Sequence, residues 1–299
     1  MATSKPQQLN LFGAVAIGLA SMLGAGVFFV WSTAWDKSHS NIFYALLLAA
    51  LVAGLNSASV YQLASNVSRA GGVYAYSRTY LPPVFSFVAG FSFVFGKIAS
   101  IAAIAIIIQT YLLPGYHLAT AVVILMTLLN LLGINRTALM AAVLAISTTS
   151  FLLFSVSSGF ASGISLSSFD SQFLIPDLSL NTLSSASIIF FAFAGYARVA
   201  TLGDEVKDPK RNIPRAIVIS LSLVLVIYFL ITFVVVGVLN PSNEAMPSAV
   251  FEALLFKTAS WFPAWLIDVV VVGASLGSIL ALLAGVSRTA ATMAEDSEL

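Results

Sequence analysis

Apolar runs of membrane-crossing length recur along this chain, and they limit its possible folds more than any other feature. A bilayer core about 30 Å thick needs about 20 apolar residues per helical crossing. Eight runs meet or approach that length: Leu11–Trp31, Ile42–Asn66, Val84–Leu113, Leu118–Leu132, Ala138–Phe160, Leu183–Leu202, Ile217–Leu239 and Phe262–Thr289. The fourth is short, and the third and eighth are long enough to tilt. Inside hydrocarbon the backbone must satisfy its own hydrogen bonds, so continuous apolar runs read as helices. Only 8% of the 299 residues are charged and 59% are hydrophobic, where a soluble domain carries roughly 25% charged residues. The fold class expected is all-α, polytopic in a membrane.

Lysine and arginine set the orientation. With the N-terminus inside, inner segments hold Lys5, Arg69, Arg78, Arg136, Lys207, Lys210, Arg211, Arg215 and Arg288, while outer loops hold Lys37 and Lys257. That bias predicts a cytoplasmic N-terminus in a cell membrane. The first run lacks a small-residue cleavage site and reads as a span, not a signal peptide. The chain has no cysteine, which excludes disulfide and thiol chemistry.

Two spans are interrupted. Gly195 breaks the sixth run directly before Tyr196 and Arg198, and the run leaves the bilayer into a charged loop from Asp204 to Arg215. Gly24-Ala25-Gly26 sits past the centre of the first run. Small residues such as Ala16, Ala20 and Gly24 at four-residue spacing also suit close helix packing. The alternative is an unwound hinge whose free N–H groups bind an anion. Broken spans five apart are the pattern of a five-helix inverted repeat with a ligand site between the breaks. On that pattern residues 1–160 form the first repeat and 161–299 part of a second.

The stretch FFAFAGYARVATLGDEVKDPKRNIPRAI, Phe190 to Ile217, closely resembles the sixth span and following loop of the amino acid–polyamine–organocation (APC) transporter superfamily. MLGAGVF, from Met22, resembles that family's first-span glycine motif. Arg69, Gly71, Gly72, Tyr74 and Tyr76 match its turn after the second span, and SRTAATMAEDSEL resembles the inner end of its eighth. Gln62 stands where the family usually has glutamate, so no titrating role is expected there. The resemblance covers essentially the whole chain and implies a LeuT-like inverted-repeat transporter fold, incomplete because the family continues for roughly four more spans. It also implies where substrate binds. A carboxylate would meet the N–H groups of Ala25 and Gly26, beside Met22, Leu23 and Gly24, and an amino group would meet carbonyls near Phe191 and Ala194. Phe191, Phe193 and Tyr196, flanking Gly195, would form the occluding wall.

Four further residues are candidates for coupling or gating. Lys97 lies near the middle of the third span, too deep to reach either surface easily; such a residue is functional by default, unless it is a structural lysine bonded to carbonyls. Asp268 is the membrane-embedded acid available to pair with it. Thr148 belongs to a hydroxyl cluster, Ser147 to Ser150, near where some APC members place a lysine in lieu of sodium. The cluster either bonds its own helix or helps hold a cation. Arg198 either closes an inner gate through Asp204, Glu205 or a carbonyl, or reaches down to the interface.

The function expected is secondary active transport of amino acids or related amines by alternating access, with the proton as coupling ion. The alternative is a truncated, transport-incompetent fragment or a partner subunit of such a permease. Catalysis is not expected: His39 and His117 lie in separate loops, and no nucleophile or metal motif appears. No GxxxxGK[ST] loop is present for ATP, and no basic arm suits nucleic acid. The expected partners are a small-molecule substrate, the proton and the lipid bilayer, with no cofactor.

Overall fold

The first helix begins where Asn10 supplies a cap: its side chain accepts the Gly13 N–H at 2.9 Å, one of the donors that a helix start leaves without a partner. The computed structural model describes residues 9–67, 69–112, 118–131, 134–164, 169, 177–203, 205–239 and 245–298. Helix α1 (Leu11–Met22) stops short of Gly24, and α2 (Ala25–Ser38) continues beyond it. A 3-10 turn leads into α3 (Ile42–Asn66). Gly71 and Gly72 then adopt φ of +104° and +54°, a turn that side chains resist, and it opens α4 (Val73–Tyr80). The helices α5 (Pro83–Leu112), α6 (Leu118–Asn130) and α7 (Ile134–Ala161) follow.

The second half repeats the interruption. Ser179 caps α8 (Leu180–Phe193), and Ala194 and Gly195 separate it from the single turn α9 (Tyr196–Val199). Helix α10 (Pro209–Leu239) starts on proline, whose missing N–H is harmless in a first turn. A short α11 (Val250–Thr258) precedes α12 (Ala264–Glu295). The fold is all-α; among the described residues, extended pairing is confined to one bridge between Leu9 and Val206. There Leu9 N–H donates to the Glu205 carbonyl at 2.7 Å and Lys207 N–H to the Leu9 carbonyl at 2.8 Å.

Six helical segments among the described residues are long and apolar enough to cross a membrane. The first, Leu11–Asn66, has 56 residues, over twice what one crossing needs, and contains α1 with α2 and then the returning α3. The fourth sequence run, the short one, yields the 13-residue α6. Helix α10 packs against α1, α3 and α7, with Val224, Tyr228, Ile231 and Val235 buried. Helix α8 packs on α2, and α9 on α1, so the two broken helices run antiparallel with their interruptions level. Leu51, Leu55, Phe85, Phe91, Phe95 and Val226 are exposed, as suits an integral protein whose solvent is lipid.

The end of α12 is clamped to the α3–α4 segment. Arg69 donates two bonds to Asp296, at 2.9 and 3.0 Å, and Tyr74 Oη donates a third at 2.9 Å. Arg78 pairs with Glu298 at 3.1 Å. The Arg69 hydrogen bonds hold the Asp296 carboxyl below its ordinary range, and the same contact raises Arg69. A carboxyl so depressed stabilises the folded state at neutral pH and loses that contribution as pH falls through its folded value.

Candidate substrate site

The two interruptions free carbonyls that a continuous helix would have used, and specific side chains take them up. Tyr228 Oη donates to the Met22 carbonyl at 2.7 Å and reaches the Ala192 carbonyl at 3.3 Å. Ser278 Oγ donates to the Ala20 carbonyl at 3.0 Å. Lys97 Nζ donates to the Ala194 carbonyl at 3.2 Å. Donors are treated differently. Ala25 and Gly26 are the first residues of α2, whose N-cap, Gly24, provides no side-chain bond. The leading N–H groups of a helix have no intrahelical acceptor and sit at its positive end.

Between the breaks lies a cavity of about 30 Å³. Its wall comes from α1 and α2 (Ser21, Met22, Gly24, Ala25, Gly26), α5 (Lys97, Ser100, Ile104), the α8 break (Phe191, Ala192, Ala194, Gly195) and α12 (Ser278, Leu282). A wider apolar groove of about 250 Å³ adjoins it, sharing Ala25, Gly26, Ile104 and Phe191 and continuing past Phe29 and Ile107. Lys97 is the ionisable side chain in the cavity wall, and its Nζ also lies 5.8 Å from the Phe93 ring centre, a favourable cation–π distance.

Of the candidate residues, Met22, Gly24, Ala25, Gly26, Phe191, Ala194, Gly195 and Lys97 come together in this wall. Others do not. Leu23 is 1% exposed in the apolar core. Phe193 is fully buried, with its ring 4.9 Å from that of Tyr228. Two residues along a helix is a rotation of about 200°, so Phe191 and Phe193 cannot face one cavity. Tyr196 is 3% exposed and also outside the wall. Of those three, the cavity wall therefore contains Phe191 alone.

The coupling and gating candidates separate as well. Asp268 lies between α2, α11 and α12, beside Phe28, Val250 and Phe251. It is ten residues from Ser278, about 15 Å along the helix, so it is not Lys97's partner; that partner is the Ala194 carbonyl. Thr148 is buried and donates to its own helix at Leu144, 2.9 Å away, as Thr149 does at Ala145. Arg198 is 2% exposed, which overturns the interface-reaching alternative. Its Nε donates to the Ala281 carbonyl of α12 at 2.7 Å, and Nη1 to Thr201 Oγ1. Asp204 lies outside the described residues.

Sequence reasoning missed Tyr228, Ser100 and Ser278, the last of which serves α1 through the Ala20 carbonyl. A signal existed for Tyr228: a hydroxyl tip amid the apolar run of α10 requires a buried acceptor. Gly26 sits where α2 meets α8. A Cβ there would lie 3.3 Å from Ala192 Cα and Cβ, so it points at α8 and not into the carboxylate position. Gly26→Val is expected to force α2 from α8, lowering ligand affinity at least tenfold and stability by about 1–3 kcal/mol. Wild-type binding and melting by the purified variant would show that this contact is slack.

A family model described as amino acid permease matches residues 13–299. An uncharacterized transporter of Mycobacterium tuberculosis is 39% identical over 308 residues, covering 98% of this chain and 67% of that protein. A branched-chain amino acid permease of Bacillus subtilis is 22% identical over 322 residues, covering 98% and 68%. A chloroplastic cationic amino acid transporter of Arabidopsis thaliana is 24% identical over 310 residues, covering 92% and 52%. The chain thus spans about half to two-thirds of the length of these relatives.

Proposed function

The chain belongs to the amino acid permease family, and from that premise we propose that it carries amino acids or related amines by proton-coupled alternating access. As a family member it is an integral, multi-pass transporter and not an enzyme. The observation that carries the finer reading is the pair of level, antiparallel helix breaks around one cavity. Substrate carboxylate binds at the Ala25 and Gly26 N–H groups, and its amino group at the Ala194 carbonyl. Residues 1–160 and 161–299 act as inverted halves that rock about this site, with the N-terminus in the cytoplasm. Two family relatives are named for amino acids, one branched-chain and one cationic, which supports the substrate class without choosing within it.

Lys97 is the proton carrier in this reading. It sits in the cavity wall and bonds one of the breaks, which supports this role. Lys97→Met removes the ionisable group at similar volume. In vesicles holding only this protein, a pH step of one unit should drive about tenfold accumulation of labelled substrate by the wild type. Lys97→Met should only equilibrate it. Undiminished accumulation with the same pH dependence would make Lys97 structural, and absence of any amino acid flux through the wild type would remove the transport reading.

A further inference from the structure

The cavity between the breaks has a charge imbalance that bears on its ligand. Lys97 contributes a positive charge, and among the described residues no carboxylate lines the wall. Two acids of the neighbouring helices and loop lie elsewhere: Asp268 borders a separate cavity and Glu205 pairs with Arg288. The wall hydroxyls have spent their hydrogens on backbone, Ser21 on Ile17, Ser100 on Gly96 and Ser278 on Ala20. Toward the cavity they offer neutral acceptor oxygens only. The freed carbonyls of Met22, Ala192 and Ala194 already accept bonds from Tyr228 and Lys97.

A lysine at this depth without a counter-ion is unfavourable, and an arriving carboxylate would form a charge-assisted bond with it. We propose that the ligand is a net monoanion, an acidic amino acid whose second carboxylate is bound by Lys97. This rests on the permease reading given above. The α-carboxylate takes the Ala25 and Gly26 N–H groups. The α-ammonium displaces Lys97 from the Ala194 carbonyl and finds the serine oxygens. The released lysine arm swings to the side-chain carboxylate, so Lys97 exchanges a neutral acceptor for a charged one and the filled cavity is neutral. The arm also vacates space, which the ligand needs because the cavity is only about 30 Å³. A basic amino acid or polyamine would add a second positive charge beside Lys97 and is excluded. A neutral apolar amino acid is the rival, because its side chain suits the groove past Phe29 and Ile107.

Competition binding to the purified, detergent-solubilised protein decides between them. The competitors are glutamate, aspartate, glutamine, leucine, lysine and succinate. Glutamate or aspartate should bind at least tenfold tighter than glutamine and leucine, with lysine unbound. Lys97→Met should erase the preference for glutamate over glutamine, and Lys97→Arg should retain it. Leucine, glutamine or lysine outcompeting both acidic amino acids on the wild type overturns the proposal, even if no variant folds. So does a glutamate preference that survives Lys97→Met. Succinate binding without any amino acid binding would overturn the permease reading and leave an anion site of another kind. Binding of none of the six overturns both.

Discussion

Gly195→Ala should abolish transport and lower the melting temperature of the purified protein, the largest effect expected from one added methyl group. An ideal Cβ on Gly195 would lie 2.4 Å from both the carbonyl carbon and the oxygen of Ser21, and 2.7 Å from Met22 Cγ. The obstruction is backbone on the opposing broken helix, so no rotamer change relieves it. Its φ of −68° and ψ of −23° are ordinary helical values; the requirement is space, not a left-handed conformation. Overpacking of this kind costs about 1–3 kcal/mol or more, and here it also separates the two interruptions that make the cavity. Gly24→Ala should do less harm. Its Cβ would lie 1.5 Å from Ser278 Oγ and 2.6 Å from Ser278 Cβ; rotation of the serine clears only the first, at the loss of its bond to the Ala20 carbonyl, so α12 must also give slightly, but no backbone atom lies closer than 3.4 Å. Gly54→Ala is the control: nothing lies within 4 Å of its added Cβ, and replacing a mid-helix glycine gains up to about 1 kcal/mol. Thermal melts and labelled uptake of the three variants check the ranking. Wild-type melting and uptake by Gly195→Ala would show that the breaks are not held together by this contact.

The breaks were legible because glycine in an apolar run is conspicuous, and because Gly24 and Gly195 lie in spans five apart. The helices were legible for the same reason that lipid makes them obligatory: long apolar runs leave the backbone no other partner. What the sequence withheld were the partners across the bundle. Lys97 stood out as a buried charge, but its acceptor is a main-chain oxygen at Ala194, and main-chain oxygens leave no mark in sequence. Asp268 looked like its partner only because it was the remaining acid in a span. Phe193 and Tyr196 were drawn into the site by proximity in sequence to Phe191 and Gly195, where helical rotation and the break itself send them to other neighbours. The clamp of Arg69 to Asp296 spans 227 residues; each residue type was visible, but not the pairing.

Arg198→Gln should either raise passive leak of substrate at least tenfold or collapse transport, with a stability loss of about 1–3 kcal/mol, the range for leaving a buried hydrogen-bond partner unsatisfied. The arginine ties α9 to α12 just past the cavity, through the Ala281 carbonyl and Thr201. Helix α12 is shaped for it: a Cβ at Gly285 would sit 2.8 Å from Arg198 Cδ. The Glu205–Arg288 pair lies close enough for both charges to act on Arg198, Glu205 attracting it and Arg288 opposing it. Glutamine is too short to keep both bonds and carries no charge to balance Glu205. Arg198→Lys separates the two contributions, because it keeps the charge and loses the planar fork that serves Ala281 and Thr201 together. If the fork closes this end of the site, Arg198→Lys leaks nearly as much as Arg198→Gln although its melting temperature recovers. If charge alone matters, Arg198→Lys restores both. Wild-type flux and leak in Arg198→Gln vesicles would remove the residue from gating and leave it a packing element between α9 and α12.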